Sequence, residues 1–469
     1  MKKALLIRCK YPYGKLSQVW LPMDLHKIAA SFEAAGTPTD VVDLNLESLP
    51  SLETYDHIGI GVIGMPYIPG TQEIAREVYE KTGKKPLIGG QIVKDFTSDE
   101  FRKLFPNALQ VSGHIAGKMP IQGGIDWTNN ALKTQGLEAV PISDVSVATR
   151  IRQLPDELLK KYLENDFGFY ISQGCKYKCD FCGADKGRPE EFGEKTAMAQ
   201  DLDALCESAQ RLGISGFSLY LSSLDLFQNP QKFREVIELF AGARQKYQLD
   251  IRTRGLSRID SFLNALKNVP SLYKLIPESG LHTVGFGVDG TTERIWREQH
   301  KANKSLSDAE RVFEQCKNLG ITPESLMVTG YHHPDSFTGD IPELEKTVKY
   351  SIEWAEKYGA VCRPHVAKEC SPGNTGWNSP KWASIRAYLV ENPEAFKNLD
   401  YLMEATELSH PDTVFRAYVN EAYWNIIDTL TPRGLCATVP LKPYRNKGAY
   451  VRASNDAAET YNAQMTLDR

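Results

Sequence analysis

Three cysteines carry the strongest chemical signal in the chain. They lie in Phe167-Gly-Phe-Tyr-Ile-Ser-Gln-Gly-Cys175-Lys-Tyr-Lys-Cys179-Asp-Phe-Cys182, spaced Cys-x3-Cys-x2-Cys, and no fourth cysteine is near them. Thiolates are soft ligands that select iron–sulfur clusters, zinc or copper. Structural zinc closes a tetrahedron with four protein ligands, whereas three thiolates leave one metal corner open. A four-iron cluster held by three cysteines keeps one iron free for an exogenous ligand. A partial zinc knuckle, or free thiols on a surface loop, are the plainer readings. The apolar run before the loop suits a buried strand, and Gly174 releases the backbone into the turn.

Other residues invite chemistry less sharply. A strand over 250–254 sets Arg252 and Arg254 on one face; turned inward they require anions, and on a solvated edge they do not. Ser222-Ser223-Leu-Asp225 has the composition of a Ser/Asp turn at a strand exit. Tyr331-His332-His333-Pro334 follows a buried apolar run. Adjacent histidines there could bind substrate, move protons or ligate a metal, although no second His/Cys pair lies nearby at metal spacing. Cys362, Cys370 and Cys436 are too far apart in sequence to resemble a second cluster motif.

The elements that must position these residues follow from pattern and composition. A chain of 469 residues, 42% hydrophobic and 24% charged, is expected to form two or three soluble domains. Its net charge of −4 provides no basic field, so no nucleic-acid partner is expected. No apolar run approaches the roughly 20 residues that span a bilayer, so no membrane partner is expected either. The start reads as a first strand rather than a signal peptide, and nine mostly scattered cysteines suit a reducing cytoplasm. Residues 1–118 alternate strand patterns (4–7, 39–44, 58–63, 86–90) with helical ones (23–35, 72–81). This predicts a doubly wound, Rossmann-like parallel sheet with ligands beyond the carboxyl ends of its strands. Residues 119–165 read as a linker. Residues 166–385 hold six strand–helix units, and 386–469 are expected to form a C-terminal helical cap over the barrel mouth.

With cysteine loop and strand pattern together, the chain resembles the radical S-adenosylmethionine (SAM) superfamily, in the branch that carries an N-terminal cobalamin-binding domain. The loop spacing matches, as does the aromatic Phe181 before the last cysteine, which the resemblance puts beside the SAM adenine. It implies a partial, TIM-like (β/α)6 barrel and a [4Fe–4S] cluster on Cys175, Cys179 and Cys182. The open iron would chelate SAM, and electron transfer from a flavodoxin- or ferredoxin-type donor would release a 5′-deoxyadenosyl radical. Ser222, Ser223 and Asp225 stand where the family holds the SAM amino group, although the usual Gly-Gly-Glu is absent. Asp289, in Gly287-Val288-Asp289-Gly290, substitutes for an acid near the ribose. Lys301 matches a basic residue facing the methionyl carboxylate, Arg254 is a further carboxylate partner, and Val328 lies on the cofactor-facing fifth strand. His332 and His333 replace a Gly-x-Pro sequence and join Asp225 and Cys436 as candidate catalytic residues.

The first 118 residues resemble the cobalamin domain through Leu21-Pro22, Val42-Asp43-Leu44 and Leu87-Ile88-Gly89-Gly90. Asp24-Leu-His26-Lys-Ile-Ala29 echoes a cobalt-ligating motif, but Ala29 replaces its glycine and His26 is expected to be an ordinary helix residue. Any cobalamin would then lie over an apolar lower face of Tyr11, Pro12, Tyr13, Trp20, Met65, Pro66 and Tyr67. A domain that keeps the fold without the cofactor is the alternative. The expected function is radical chemistry on a small molecule, foremost cobalamin-dependent C-methylation. Cobalamin-independent dehydration or rearrangement of a sugar-like metabolite, and a non-enzymatic electron carrier, are the alternatives.

Overall fold

Short apolar runs alternating with amphipathic helices build two parallel sheets. The computed structural model describes residues 2–11, 21–90, 92–111, 130–165, 167–179, 182, 186–301, 305–331, 340–367, 378, 380, 383–398 and 413–437. In the first sheet, β1 (Ala4–Arg8) is flanked by β2 (Thr39–Asp43) and β3 (His57–Gly61), followed by β4 (Leu87–Gly89) and β5 (Leu109–Gln110). The order β2-β1-β3-β4-β5 is parallel throughout, which places a ligand crevice beyond the carboxyl ends of β1 and β3. Helices α1 (Met23–Ala34), α2 (Ile68–Thr82) and α3 (Ser98–Leu104) connect the strands. Gly90, just after β4, has φ +131°, and a Cβ there would stand 2.1 Å from the Val62 carbonyl oxygen, so only glycine fits.

The expected linker is divided between the two cores. Helix α4 (Asn130–Gln135) places Ala131 and Leu132 against Leu6, Leu25 and Phe32 of the first domain. Helices α5 (Ala148–Gln153) and α6 (Asp156–Leu163) bury Ile151, Leu159 and Tyr162 in the barrel core.

The barrel strand β6 (Phe167–Tyr170) leads into the cysteine loop. A two-stranded antiparallel ribbon, β7 (Ser172–Gln173) and β8 (Glu191–Phe192), brackets that loop. There follow α7 (Lys195–Arg211), β9 (Gly216–Ser222), α8 (Pro230–Tyr247), β10 (Asp250–Ser257), α9 (Ile259–Asn268), α10 (Leu272–Ser279) and β11 (Leu281–Gly287). The series ends with α11 (Glu293–Glu298), α12 (Leu306–Asn318), β12 (Thr322–Thr329), α13 (Ile341–Tyr358) and β13 (Val361–Val366). The sheet runs β6-β9-β10-β11-β12-β13, all parallel, as the six-unit pattern predicts. Burial alternates along β9, β12 and β13: fully buried positions pack on the helices and half-buried ones line the open concave face.

Of the expected cap over the barrel mouth, residues 399–412 and 438–469 lie outside the described residues, and the described parts pack elsewhere. Helix α14 (Ala383–Glu391) and the 3-10 turn Pro393–Asn398 return to the first domain, where Leu389, Val390 and Phe396 enter its core and Phe396 meets Phe96 edge-on at 6.0 Å. Helix α15 (Thr413–Leu430) packs on α13 and β13. Residues 435–437 then pair with β13: the Cys362 N–H donates to Leu435 O, and the Ala437 N–H to Cys362 O, both at 2.8 Å. The physical reason is the edge. An open sheet leaves β13 with unpaired backbone groups, and a rudimentary seventh unit covers them. No helix among the described residues is long and apolar enough to cross a membrane.

Candidate active site

The three cysteines occupy a loop closed by its own backbone. Gly174 turns at φ +89°, where a Cβ would be 2.5 Å from the Pro189 carbonyl oxygen. The Arg188 N–H donates to Cys175 O (3.0 Å), the Gly187 N–H to Tyr177 O (2.9 Å) and the Cys182 N–H to Cys179 O (3.2 Å). Lys186 Nζ also donates to Cys179 O, at 2.7 Å. Cys179 is buried, and Cys175 and Cys182 are half-buried. Burial pushes the Cys175 thiol up to about 11, a cost that metal coordination removes by binding the thiolate. Among the described residues no three His, Cys, Asp or Glu side chains converge on one metal ion; a four-iron cube takes one thiolate per iron and needs no such convergence.

Positive charge surrounds this loop. Arg258, immediately after β10, donates from Nη1 to Cys179 Sγ at 3.6 Å and lies 3.7 Å over the Tyr177 ring. Its Nε donates to Asp260 (3.0 Å), and its buried Nη2 has no partner among the described residues. Sequence reading missed Arg258, because it lies beyond the 250–254 window from which Arg252 and Arg254 were drawn. Lys301 is buried in an ion pair with Asp289. Burial lowers its ammonium to about 7, the Arg258 charge lowering it further while Cys179 and Cys182 oppose the shift. Tyr331 is half-buried with its hydroxyl inside, raised by desolvation and by the same two cysteines. Asp289 (φ +55°) and His300 (φ +50°) are left-handed non-glycine residues. The Val288 and Asp289 N–H groups share Leu326 O at 3.0 Å each, and His300 O lies 4.0 Å from Cys179 Sγ. Backbone strain of this kind concentrates at functional sites.

Asp225, expected to face SAM, is engaged inside the fold. Its carboxylate accepts from Ser257 Oγ (3.0 Å), the Arg258 N–H (3.2 Å) and Ser261 Oγ (2.6 Å), which locks the start of α9 to the exit of β9. The open carboxylate here is Glu190. It accepts from Ser172 Oγ (2.6 Å) and Ser223 Oγ (3.3 Å), and its buried Oε2 has no partner among the described residues. Burial pushes it up to about 7. Its only signal in sequence is an acidic pair soon after Cys182. Ser222 sits half-buried on the concave face, near Gly168. Arg254 stacks on Tyr220 at 4.9 Å on the same face, whereas Arg252 is exposed and paired with Asp250 at 2.9 Å. Val328 is half-buried, in register with His365.

Cys436 is a correction: it pairs beside Cys362 at the amino end of β13, the end opposite the cysteine loop, and packs among apolar side chains. The Cys362 thiol is buried, on the helix-packed side of β13. Phe181, His332, His333 and Cys370 lie outside the described residues.

In the first domain, a cavity of about 210 Å³ opens between α1 and the sheet. Leu25, Ile28, Phe32, Val62 and Ile63 line it, and Gly59, Gly61 and Gly89 keep it wide. An apolar cavity of roughly 150 Å³ admits benzene, so this one has room for a bicyclic heterocycle. His26 does not line this cavity. Its Nδ1 accepts from Arg150 Nε at 3.2 Å, and burial lowers the imidazole to about 3, which keeps it neutral. Met65, Pro66 and Tyr67, expected on an apolar lower face, are buried in the domain core. Tyr11 rests against Tyr67, with ring centroids 5.9 Å apart, while Pro12, Tyr13 and Trp20 lie outside the described residues. The apolar side chain left exposed at the rim is Ile63, at 47%.

A doubly wound domain in front of an open (β/α)6 barrel with a three-cysteine loop defines the architecture. No protein-family model and no curated protein matches the chain. Solved structures do. The radical SAM methyltransferase TsrM from Kitasatospora setae, with cobalamin and a [4Fe–4S] cluster bound, is 15% identical over 80% of this chain and 74% of its own, at a TM-score of 0.58. The same enzyme with tryptophan substrate and a SAM analogue aligns over 100% of this chain and 98% of its own, at 13% identity and TM-score 0.62. The cobalamin-dependent radical SAM enzyme OxsB, with aqua-cobalamin and SAM bound, covers 100% and 80%, at 11% identity and TM-score 0.56. The chain therefore has the two-domain fold of cobalamin-dependent radical SAM enzymes.

Proposed function

We propose that this chain is a radical SAM enzyme acting on a small-molecule substrate, with a [4Fe–4S] cluster on Cys175, Cys179 and Cys182 and cobalamin in the first domain. One observation carries the reading: three cysteines stand at the carboxyl edge of a parallel barrel, beside the buried basic side chains Arg258 and Lys301. When bound, the cluster would supply the electron that cleaves SAM to a hydrogen-abstracting 5′-deoxyadenosyl radical. The chain's own groups then have defined tasks. Arg258 Nη2 and Lys301 offer positive charge to a carboxylate, Glu190 Oε2 accepts from an ammonium group, and Asp289 accepts from ribose hydroxyls. The buried Tyr331 hydroxyl and the buried Trp296 exclude water on that side. The exposed Lys176 and Lys178 on the cysteine loop suit an acidic electron donor of flavodoxin or ferredoxin type.

In the first domain, the 210 Å³ cavity would take the heterocyclic base of cobalamin, with Ile63 exposed at its rim and His26 engaged by Arg150. The fold resembles that of the methyltransferase TsrM, and C-methylation is the reaction we infer. An oxygen-labile cluster implies work in a reducing cytoplasm. The test is anaerobic reconstitution with iron, sulfide and SAM, followed by assay for 5′-deoxyadenosine. The wild-type chain should form it and Cys179→Ala should not; formation by the variant would remove the cluster assignment.

A further inference from the structure

We propose that the barrel binds its substrate as a zwitterion, the adjacent carboxylate and ammonium of an α-amino acid resting on Arg363 and Glu324. The proposal deepens the radical SAM reading of the same barrel and rests on it. Arg363 on β13 and Glu324 on β12 both occupy half-buried positions of the concave face, and Arg363 Nη2 donates to Glu324 Oε2 at 2.8 Å. Their side chains are 33% and 14% exposed, so the pair is neither solvated nor sealed. Arg363 Nε is buried and has no hydrogen-bond partner among the described residues. A cation and an anion held side by side complement a ligand whose two charges are also side by side, in the opposite order. The carboxylate takes the unused edge of the guanidinium fork, and the ammonium takes the glutamate.

Glycine lets apolar side chains close in beside the pair. A Cβ at Gly285 would stand 2.8 Å from Leu256 Cδ2, 2.9 Å from Leu326 Cδ1 and 3.4 Å from Glu324 Oε2. The Leu256 and Leu326 side chains already pack over Gly285 beside Glu324, and they offer apolar surface to a ligand side chain. Two residues further along β11, a Cβ at Gly287 would meet Lys301 Nζ at 2.7 Å, so that glycine faces the cofactor pocket. Two residues of strand span about 7 Å, which sets the charge pair one step below the cofactor level, where a substrate carbon must lie. An ion pair is weak evidence for stability by itself; here its open side and its unused donor point to a ligand.

The probes are L-leucine, L-phenylalanine and L-tryptophan, each compared with its amide and its decarboxylated amine. They are titrated calorimetrically into the anaerobically reconstituted full chain with SAM present. At least one amino acid should bind saturably, with its amide and amine at least tenfold weaker. Glu324→Gln/Arg363→Gln leaves no stranded charge and should fold, and it should weaken binding at least tenfold. Equal binding of the amide or the amine, undiminished binding by the double variant, or no saturable binding of any of the three overturns the proposal. Assay for 5′-deoxyadenosine on the same wild-type preparation separates the two failures. SAM cleavage without amino-acid binding sinks only the zwitterion, whereas no cleavage sinks the radical SAM reading.

Discussion

Arg258 should set the reduction potential of a cluster on this loop. Its guanidinium approaches Cys179 Sγ at 3.6 Å from a site only 7% exposed, so water screens little of its charge. Unit charges about 4 Å apart interact by about 4 kcal/mol at an effective dielectric of 20. Spreading the added electron over the irons moves it further away, and Asp260 at 3.0 Å offsets part of the cation. What remains falls near 1.5–3 kcal/mol, the range for hydrogen bonds to charged groups. For a one-electron couple, 59 mV corresponds to a tenfold change in equilibrium, so the effect is about 60–130 mV. Reduction makes the cluster more negative, and removing a neighbouring cation disfavours it. Arg258→Gln should therefore lower the midpoint by that amount, and Arg258→Lys by less. The assay is a redox titration of the reconstituted chain, followed by the electron paramagnetic resonance of the reduced cluster. An unchanged or raised midpoint in the glutamine variant would refute the reasoning.

Two further outcomes concern the first domain. His26 titrates near 3 in the folded chain, against an ordinary value of 6.5. Between these values the unfolded chain binds a proton that the folded chain does not, so stability present above pH 6.5 is lost as pH falls toward 3. At pH 5 the loss is about 2 kcal/mol. Urea unfolding of His26→Gln should be less sensitive to a change from pH 7 to pH 5 than that of the wild type; parallel curves would count against the buried neutral imidazole. Ile63→His places an imidazole at the rim of the cavity, so its bound cobalamin should show the visible spectrum of a nitrogen-ligated cobalt, while His26→Ala should leave the wild-type spectrum unchanged. Identical spectra for Ile63→His and the wild type would remove Ile63 from the cobalt face.

Most strands were legible because each has a local signature. The patterns at 4–7, 39–44, 58–63 and 86–90 fall on β1 to β4, and six strand–helix units give six parallel barrel strands. The cysteine loop was legible for the same reason, since its chemistry lies within eight residues. What escaped depends on partners distant in sequence. Asp225 was recognised as an acid at a strand exit, but Ser257 and Ser261, 32 and 36 residues on, are what occupy it. Glu190 and Arg258 reach the site only because the ribbon folds back beside Ser223 and β10 runs on to Ser257. The 383–398 segment gave no sign that its apolar residues would complete a domain formed some 300 residues earlier.

The junction between the domains bears on how two cofactors would share one substrate. Lys27 on α1 is 2% exposed and donates to Asp201 Oδ2 (2.8 Å) and Val145 O (2.7 Å). Asp201 Oδ1 accepts from Ser146 Oγ (2.6 Å) and the Val147 N–H (2.7 Å), so both carboxylate oxygens are satisfied. Tyr162 of α6 donates to Asp43 at the end of β2 (3.1 Å). Asp95, raised by burial to about 6, also lies within reach of the charge on Lys186, which holds the Cys179 carbonyl. A desolvated ion pair contributes little net stability, but it fixes the register of the surfaces it joins. Here α1 carries that pair and also walls the apolar cavity. Under the proposed function, the same helix would set the depth at which cobalamin faces the barrel. Hydrogen abstraction and methyl delivery at one carbon require the two cofactors to approach it at fixed positions. A docking surface held by buried, fully hydrogen-bonded charges meets that requirement better than an apolar seam free to slide.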